Sequence, residues 1–191
     1  MSKQPFSYIL QRVLFNPLSY LHPMRVQIPE NLLVCSVERA TANELLLSAF
    51  RLEVGDFDLN SFGKVWVRNW YYLPQITYLI GCHTLRAELA RKGGILKLPI
   101  WAIKFLAIDL PTGGYINQSA YVKSSPNHED LMRIGYARLF AWNSQLPQPL
   151  RQRFPLLFAP HVDKAIPQPA VDSLTLTLAI QHAQIYPNPP P

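Results

Sequence analysis

Proline constrains this chain more than any other residue. Eighteen of the 191 residues are proline, against about 5% in an average protein. Each removes a backbone donor and disfavours the helical conformation of the residue before it, so prolines collect at the ends of elements. Here they fall mainly between stretches of helical periodicity: Pro17, Pro23, Pro29, Pro74, Pro99, Pro111 and Pro126, then Pro147, Pro149, Pro155 and Pro160. That spacing predicts a mostly α fold. The expectation is a single compact domain of many short helices broken by prolines, with an irregular N-terminal arm and no central sheet.

A chain of 191 residues is expected to form one domain, and 49% hydrophobic with 12% aromatic residues is enough to bury a core. The domain is expected over 1–186, followed by an unstructured proline-rich tail, 187–191. The first helix is expected over 7–15 behind Ser7, and Asn16-Pro17 restarts a further turn. Phe15 to Pro29 reads as an ordered but irregular arm. A second helix is expected from Glu38 to about Leu52, with Thr41 and Glu44 at capping-box spacing, Leu45, Ala49 and Leu52 on its apolar face and Gly55 ending it. Ser61 to Tyr72 carries two stripes at i,i+4 spacing: Phe62, Trp66, Trp70 and Leu73 as core, and Lys64, Arg68 and Tyr72 on another face.

Leu73 to Arg91 reads as one helix of about 18 residues. Pro74 sits in its first turn, Gly93-Gly94 stops it, and Tyr78, Cys82, Leu85 and Leu89 share one face, with Arg86, Arg91 and Lys92 elsewhere. Glu88 and Lys92 form an i,i+4 pair. Pro99 opens a helix to Ile108. Residues 109–125 form a long connection that is either a functional loop or partly mobile. A helix from Ser125-Pro126 to Gln145 follows, with Met132, Gly135, Tyr136, Leu139 and Trp142 along one face. Prolines then cut 147–160 into short pieces. Between Ala170 and Tyr186, alternating Leu174, Leu176 and Leu178 favour a strand, whereas Leu174, Leu178, Gln181 and Ile185 keep helical spacing; length favours the helix.

The motifs that carry chemistry are missing. His128-Glu129 begins like a zinc-protease motif, but Met132 stands where the second histidine must be. Cys82 and His83 are adjacent and so point to different helix faces. Thr112-Gly113-Gly114 lacks the Gly-Lys-Ser/Thr of a phosphate loop. Both cysteines, Cys35 and Cys82, are expected to be reduced core thiols. No window reads as a spanning helix and the N-terminus lacks a secretory pattern, so the protein is expected in the cytoplasm.

The net charge of +6 is unevenly placed. Residues 59–108 carry seven basic and one acidic group, and the flanking thirds nearly balance. Such a footprint fits nucleic acid, anionic lipid headgroups or an acidic protein surface. A basic nucleic-acid-binding module is therefore the alternative function, although no recognised motif of that kind is present.

Five segments together carry a resemblance: VLFNPLSYLHPMRVQI at 13–28, LPQITYLIGCHTLRAELAR at 73–91, PNHEDLMRIGYARL at 126–139, QRFPLLF at 152–158 and IQHAQIYPN at 180–188. They look like the OrgA/MxiK/SctK family of accessory proteins of the bacterial type III secretion apparatus, nearest its OrgA branch. The resemblance implies a non-enzymatic adaptor of the sorting platform, at the cytoplasmic face of the inner membrane and peripheral to it through partners. Those partners would be the cytoplasmic domain of the inner-membrane ring protein and the pod protein, and indirectly the secretion ATPase and its stator. It implies no cofactor, no metal, no catalytic residues and no nucleic-acid partner. Two interface patches are expected: Tyr20, His22, Pro23 and Arg25 on the arm, and Lys64, Arg68 and Tyr72. The competing reading of the arm is a strand-like segment packed on the body to close the core.

Overall fold

The structure is a computed structural model that describes residues 5–29, 33–55, 57–91, 93–110 and 126–188. Among the described residues there are nine α-helices and no strand: α1 Phe6–Phe15, α2 Ser36–Ala49, α3 Ser61–Arg68, α4 Leu73–Thr84, α5 Arg86–Arg91, α6 Ile100–Leu106, α7 His128–Phe140, α8 Gln148–Arg153 and α9 Ser173–Ile185. Short 3-10 turns fill most of the joints. The mostly α fold expected from the prolines is what the chain adopts. Pro17, Pro74 and Pro149 each sit in the first turn of a helix or 3-10 turn, where their missing N–H removes no bond.

By packing, the residues group into two compact units, each discontinuous in sequence: residues up to Tyr71 with Asn143–Pro160, and Tyr72–Trp142 with His161 onward. In the first unit α1 packs on α3, α8 and α2. Val13, Trp66, Val67, Trp70, Leu150, Phe154 and Phe158 are buried in its core. Its aromatic rings interlock: Trp66 lies 5.4 Å from Phe154, and Phe154 lies 5.1 Å from Phe158 in an edge-to-face contact. A cation sits at the centre. Arg153 is fully buried and donates to the carbonyls of Leu14, Glu53 and Pro149, each at 2.8 Å. Its fork geometry lets one side chain join α1, α8 and the segment after α2, which no Lys could do.

In the second unit α4 is the central strut, buried from Gln75 through Thr84 and packed against α7, α9, α6 and α5. It meets α7 backbone to backbone. A Cβ built on Gly81 would land on the Leu131 carbonyl, and one on Gly135 would land on the Thr77 carbonyl. Side-chain hydrogen bonds tie α7 and the end of α9 to this strut, and α9 to α6. Gln75 Nε2 donates to Tyr186 O at 2.6 Å, His182 Nε2 to Trp101 O at 2.7 Å, and Arg138 Nη1 to Thr84 Oγ1 at 3.3 Å.

Several local expectations are corrected. The helix expected over 73–91 is two, α4 and α5, interrupted at Leu85 without any proline or glycine. Tyr78, Cys82, Leu85 and Leu89 nevertheless all face the core. The interruption falls where an all-buried helix gives way to a surface one, so tertiary packing sets it. Glu88 bonds to Arg91, one turn on; Lys92, the expected partner, lies outside the described residues, as do 111–125 of the long connection and the last three residues of the tail. The helix expected from Glu38 starts earlier. Its capping box is Cys35 and Glu38, with Sγ accepting from Glu38 N at 3.4 Å and the carboxylate accepting from Cys35 N at 3.3 Å. Thr41 is used inside the helix instead, donating to Val37 O.

Cys35 is thus exposed rather than a core thiol, while Cys82 is buried; both are free. The buried face of α2 is Ala42, Asn43 and Leu46, not Leu45 and Ala49, and the helix ends at Ala49 before Arg51 at φ +50°, not at Gly55. Residues 173–185 are helical, as length favoured. Its buried set is Thr175, Leu176, Ala179, His182 and Ala183, whereas Leu174 and Ile185 are exposed. Small Ala179 and Ala183 are fully buried while larger Leu174 and Ile185 are not, so bulk does not mark that face.

Candidate protein-interaction surface

The first unit presents a basic, aromatic face built on α1 and α3. Asn60 caps α3, its side chain accepting from Gly63 N at 2.7 Å. Burial of Gly63, Trp66 and Val67 on one side leaves Lys64 and Arg68 exposed on the other. The guanidinium of Arg68 lies 5.7 Å from the Phe6 ring centroid. Arg12, on α1, lies 5.3 Å from the Tyr71 ring and 5.9 Å from the Tyr8 ring, and both tyrosines are exposed. The Tyr71 hydroxyl is also 3.0 Å from Ser19 Oγ, which donates to Asn16 O.

The electrostatics of this face are one-signed. Neither 5–29 nor 59–71 contains an Asp or Glu, and Arg12, Lys64 and Arg68 make no ion pair with a described residue. The aromatic rings hold the two guanidinium groups by about 0.5–1 kcal/mol for each exposed contact; Arg68 is exposed and Arg12 half-buried. A fork held in this way is ready for a carboxylate, which it takes bidentately.

The residues expected at interfaces are distributed as follows. Lys64 and Arg68 are exposed on α3. The i,i+4 stripe stops there, because the helix ends at Arg68 and Tyr72 lies beyond Asn69 in a 3-10 turn, half-buried. On the arm, Tyr20 is a core residue: its ring meets Trp70 edge-on at 5.6 Å, and burial drives its hydroxyl pKa far upward against the opposing charge of Arg153. His22 N donates to Leu156 O at 2.8 Å and Arg25 Nε to Phe158 O at 2.6 Å. Pro23 is exposed. The arm therefore packs on its own unit through Tyr20, His22 and Arg25. Tyr8, Arg12 and Tyr71 were not picked out by sequence reading; the signal available was the i,i+4 spacing of Tyr8 and Arg12 in a stretch without acids.

The rest of the surface carries little chemistry. Among the described residues no three His, Cys, Asp or Glu side chains converge. Cys82 lies beside Tyr78, whose hydroxyl is 2.6 Å from His128 Nδ1, whereas His83 packs against Phe105. A hollow of about 500 Å³ at the Pro17–Ser19 turn and the start of α2 is lined by Asn16, Ser19, Arg39 and Asn43 among others, with no acid, histidine or thiol. Among the described residues no helix is long and apolar enough to cross a membrane.

Comparison with known proteins gives this surface its context. The family described as "Bacterial type III secretion apparatus protein (OrgA_MxiK)" matches residues 10–185. The chain belongs to this family. It is 48% identical to the "Oxygen-regulated invasion protein OrgA" of Salmonella typhimurium over 193 aligned positions, covering 100% of this chain and 94% of the relative. Against "Protein MxiK" of Shigella flexneri it is 25% identical over 148 positions, 78% of this chain and 72% of the relative. Against "Putative uncharacterized protein YgeO" of Escherichia coli it is 35% identical over 99 positions, 51% of this chain and 67% of the relative. No solved structure matches. The OrgA/MxiK membership agrees with the resemblance read from the five segments.

Proposed function

We propose that this OrgA/MxiK-family chain is a non-enzymatic cytoplasmic adaptor of the type III secretion sorting platform. Residues 1–186 act as one adaptor that links the cytoplasmic domain of the inner-membrane ring protein to the pod protein, and through the pod to the secretion ATPase and its stator. Its place of work is the cytoplasmic face of the inner membrane. The observation that carries this reading is the family match from residue 10 to residue 185. The α1–α3 face supports it physically. Arg and Tyr are enriched in protein interfaces, and a one-signed patch gains on-rate and orientation against an acidic partner. Lys64, Arg68 and Arg12 are the contact residues in this reading. Arg25 and His22 hold the arm that supports the patch, and Pro23 remains a contact candidate.

Co-expression with the pod protein and the ring protein's cytoplasmic domain, followed by size exclusion, tests the adaptor role. A stoichiometric complex is expected. Lys64→Glu with Arg68→Glu should abolish capture of one partner and leave the chain folded; full capture of both partners by that variant retires the face. Failure of the unaltered chain to join either partner retires the adaptor.

A further inference from the structure

Between Glu88 and Asp109 the sequence carries Arg91, Lys92, Lys97 and Lys104 and no acid. In the second unit the apolar residues of this stretch divide into two sets. Leu98, Trp101, Ala102 and Phe105 are buried and anchor the segment, whereas Leu96 and Ile100 are 87% and 69% exposed. The 3-10 turn Gly94–Lys97 carries Leu96, and it is entered through Gly93 at φ +65°, a conformation that glycine adopts freely. Lys97 follows Leu96 directly and is exposed. Lys104 lies one turn after Ile100 on α6, also exposed, with Nζ 4.7 Å from the Tyr186 ring centroid. Of the two acids that bound the stretch, Glu88 is buried and bonded to Arg91, and the exposed Asp109, five residues after Lys104, lies 4.0 Å from Arg86.

A single exposed aliphatic side chain is ordinary. Two within five residues, flanked by exposed cations with no exposed carboxylate between them, form a pattern with a specific use. We propose that the Leu96–Lys104 segment is a docking tip for an anionic bilayer surface. Leu96 and Ile100 enter the boundary between headgroups and acyl chains, and Lys97 and Lys104 lay their stems along it with the ammonium groups among the lipid phosphates. An acidic protein is the less fitting occupant. Lysine is depleted in protein interfaces, and side chains standing this far into solvent need a matching pocket in a protein but none in a fluid bilayer. This reading goes beyond the adaptor proposal and does not depend on it, since it concerns the chain and lipid alone.

The test is co-sedimentation of the purified full chain with vesicles of phosphatidylcholine, alone or with about a third phosphatidylglycerol. Partitioning onto the anionic vesicles only is expected. One basic residue near such a surface contributes roughly fivefold, so Lys97→Glu with Lys104→Glu should lower the partition coefficient at least about tenfold. Leu96→Ser with Ile100→Ser keeps every charge and should also lower it about tenfold or more, which separates insertion from attraction to phosphate. All four positions are exposed, so unchanged thermal unfolding is expected for both variants. Lys64→Glu with Arg68→Glu, on the other basic face, should leave partitioning intact while it tests the adaptor role separately. The proposal is overturned by no partitioning of the unaltered chain, by full binding of the serine variant, or by equal loss in the Lys64 and Arg68 control. Capture by polyglutamate through Lys97, with anionic vesicles ignored, overturns it in favour of an acidic protein.

Discussion

Gly135→Ala in α7 separates tertiary packing from local propensity, because the two predict opposite signs. Judged as a helical position alone, replacing glycine by alanine stabilises by about 1 kcal/mol. The packing against α4 reverses this. A Cβ on Gly135 falls on the Thr77 carbonyl and also comes within 2.9 Å of Gly81 N, both inside the 3.0 Å that such contacts essentially never breach. Its neighbours are backbone atoms of a helix buried on nearly every side, so no side chain can rotate away. The helices must part by about 1 Å, and gaps of that size forfeit a quarter to a half of each dispersion contact along the seam. Overpacking of a core ordinarily costs about 1–3 kcal/mol, and a backbone clash belongs at the upper end. Net of propensity, the loss should be about 2 kcal/mol, a fall in Tm of roughly 4–8 °C for a chain of this size. Thermal unfolding followed by circular dichroism measures it. Gly81→Ala should behave alike through Leu131, and the double variant should lose less than the sum, since helices already parted accept the second methyl more easily. A Gly135→Ala protein as stable as the parent, or more so, refutes the close α4–α7 approach.

Other expectations test the two units separately. Arg153→Met removes the donor shared by Leu14, Glu53 and Pro149 and should cost about 3 kcal/mol or more in urea unfolding; Arg153→Lys, which cannot span three carbonyls, should recover little of it. Stability equal to the parent in the Met variant would show that the three bonds contribute nothing net. Burial pushes His83 below its ordinary 6.5, with the neighbouring charges of Arg138 and Arg86 adding to this and Asp172 and the Leu110 backbone opposing it. The unfolded chain then binds that proton more readily, so this contribution to stability is whole above pH 6.5 and is lost as the pH falls below it. His83→Gln should flatten the fall in Tm over that acid range relative to the parent, and parallel curves would exclude the effect. Cys35 should react with a thiol reagent in the native protein while Cys82 waits for unfolding, because Cys82 is buried beside Tyr78 with its pKa driven well up; two equally fast thiols would contradict that placement.

What could be read from the sequence follows from where each signal resides. Prolines are local, and their punctuation marked the starts of α4 and α6 and the short pieces after Pro147, but it held nothing to signal the break between α4 and α5. Half of the basic face was equally legible, since Lys64 and Arg68 lie opposite Trp66 on one amphipathic helix. The other half was not. Tyr8 and Arg12 meet Tyr71 only because α1 packs on α3, and no periodicity within either segment encodes that meeting. Tyr20 failed as a surface residue for the related reason that its burial depends on Trp70, fifty residues later in the chain.

The deeper asymmetry is that sequence reading weighs side chains, while the tightest packing in the second unit is made by their absence. Gly81 and Gly135 are where α4 meets α7, and Ala179 and Ala183 are fully buried on α9; a pattern weighed by bulk gives all four little weight. Large residues misled in proportion: Leu174 and Ile185 completed a helical pattern on α9 and are exposed, as Leu45 is on α2. The same physics connects the strut to the proposed docking tip. Because α4 meets α7 through glycines and packs on α9 as well, it is already covered on those sides. The anchors Trp101 and Phe105 are satisfied by the strut and α9, with Tyr78 5.5 Å from Trp101 and His182 5.4 Å from Phe105. Leu96 and Ile100 lie outside that core. Exposed aliphatic side chains beside exposed lysines that make no ion pair with a described residue are available for a second surface to use.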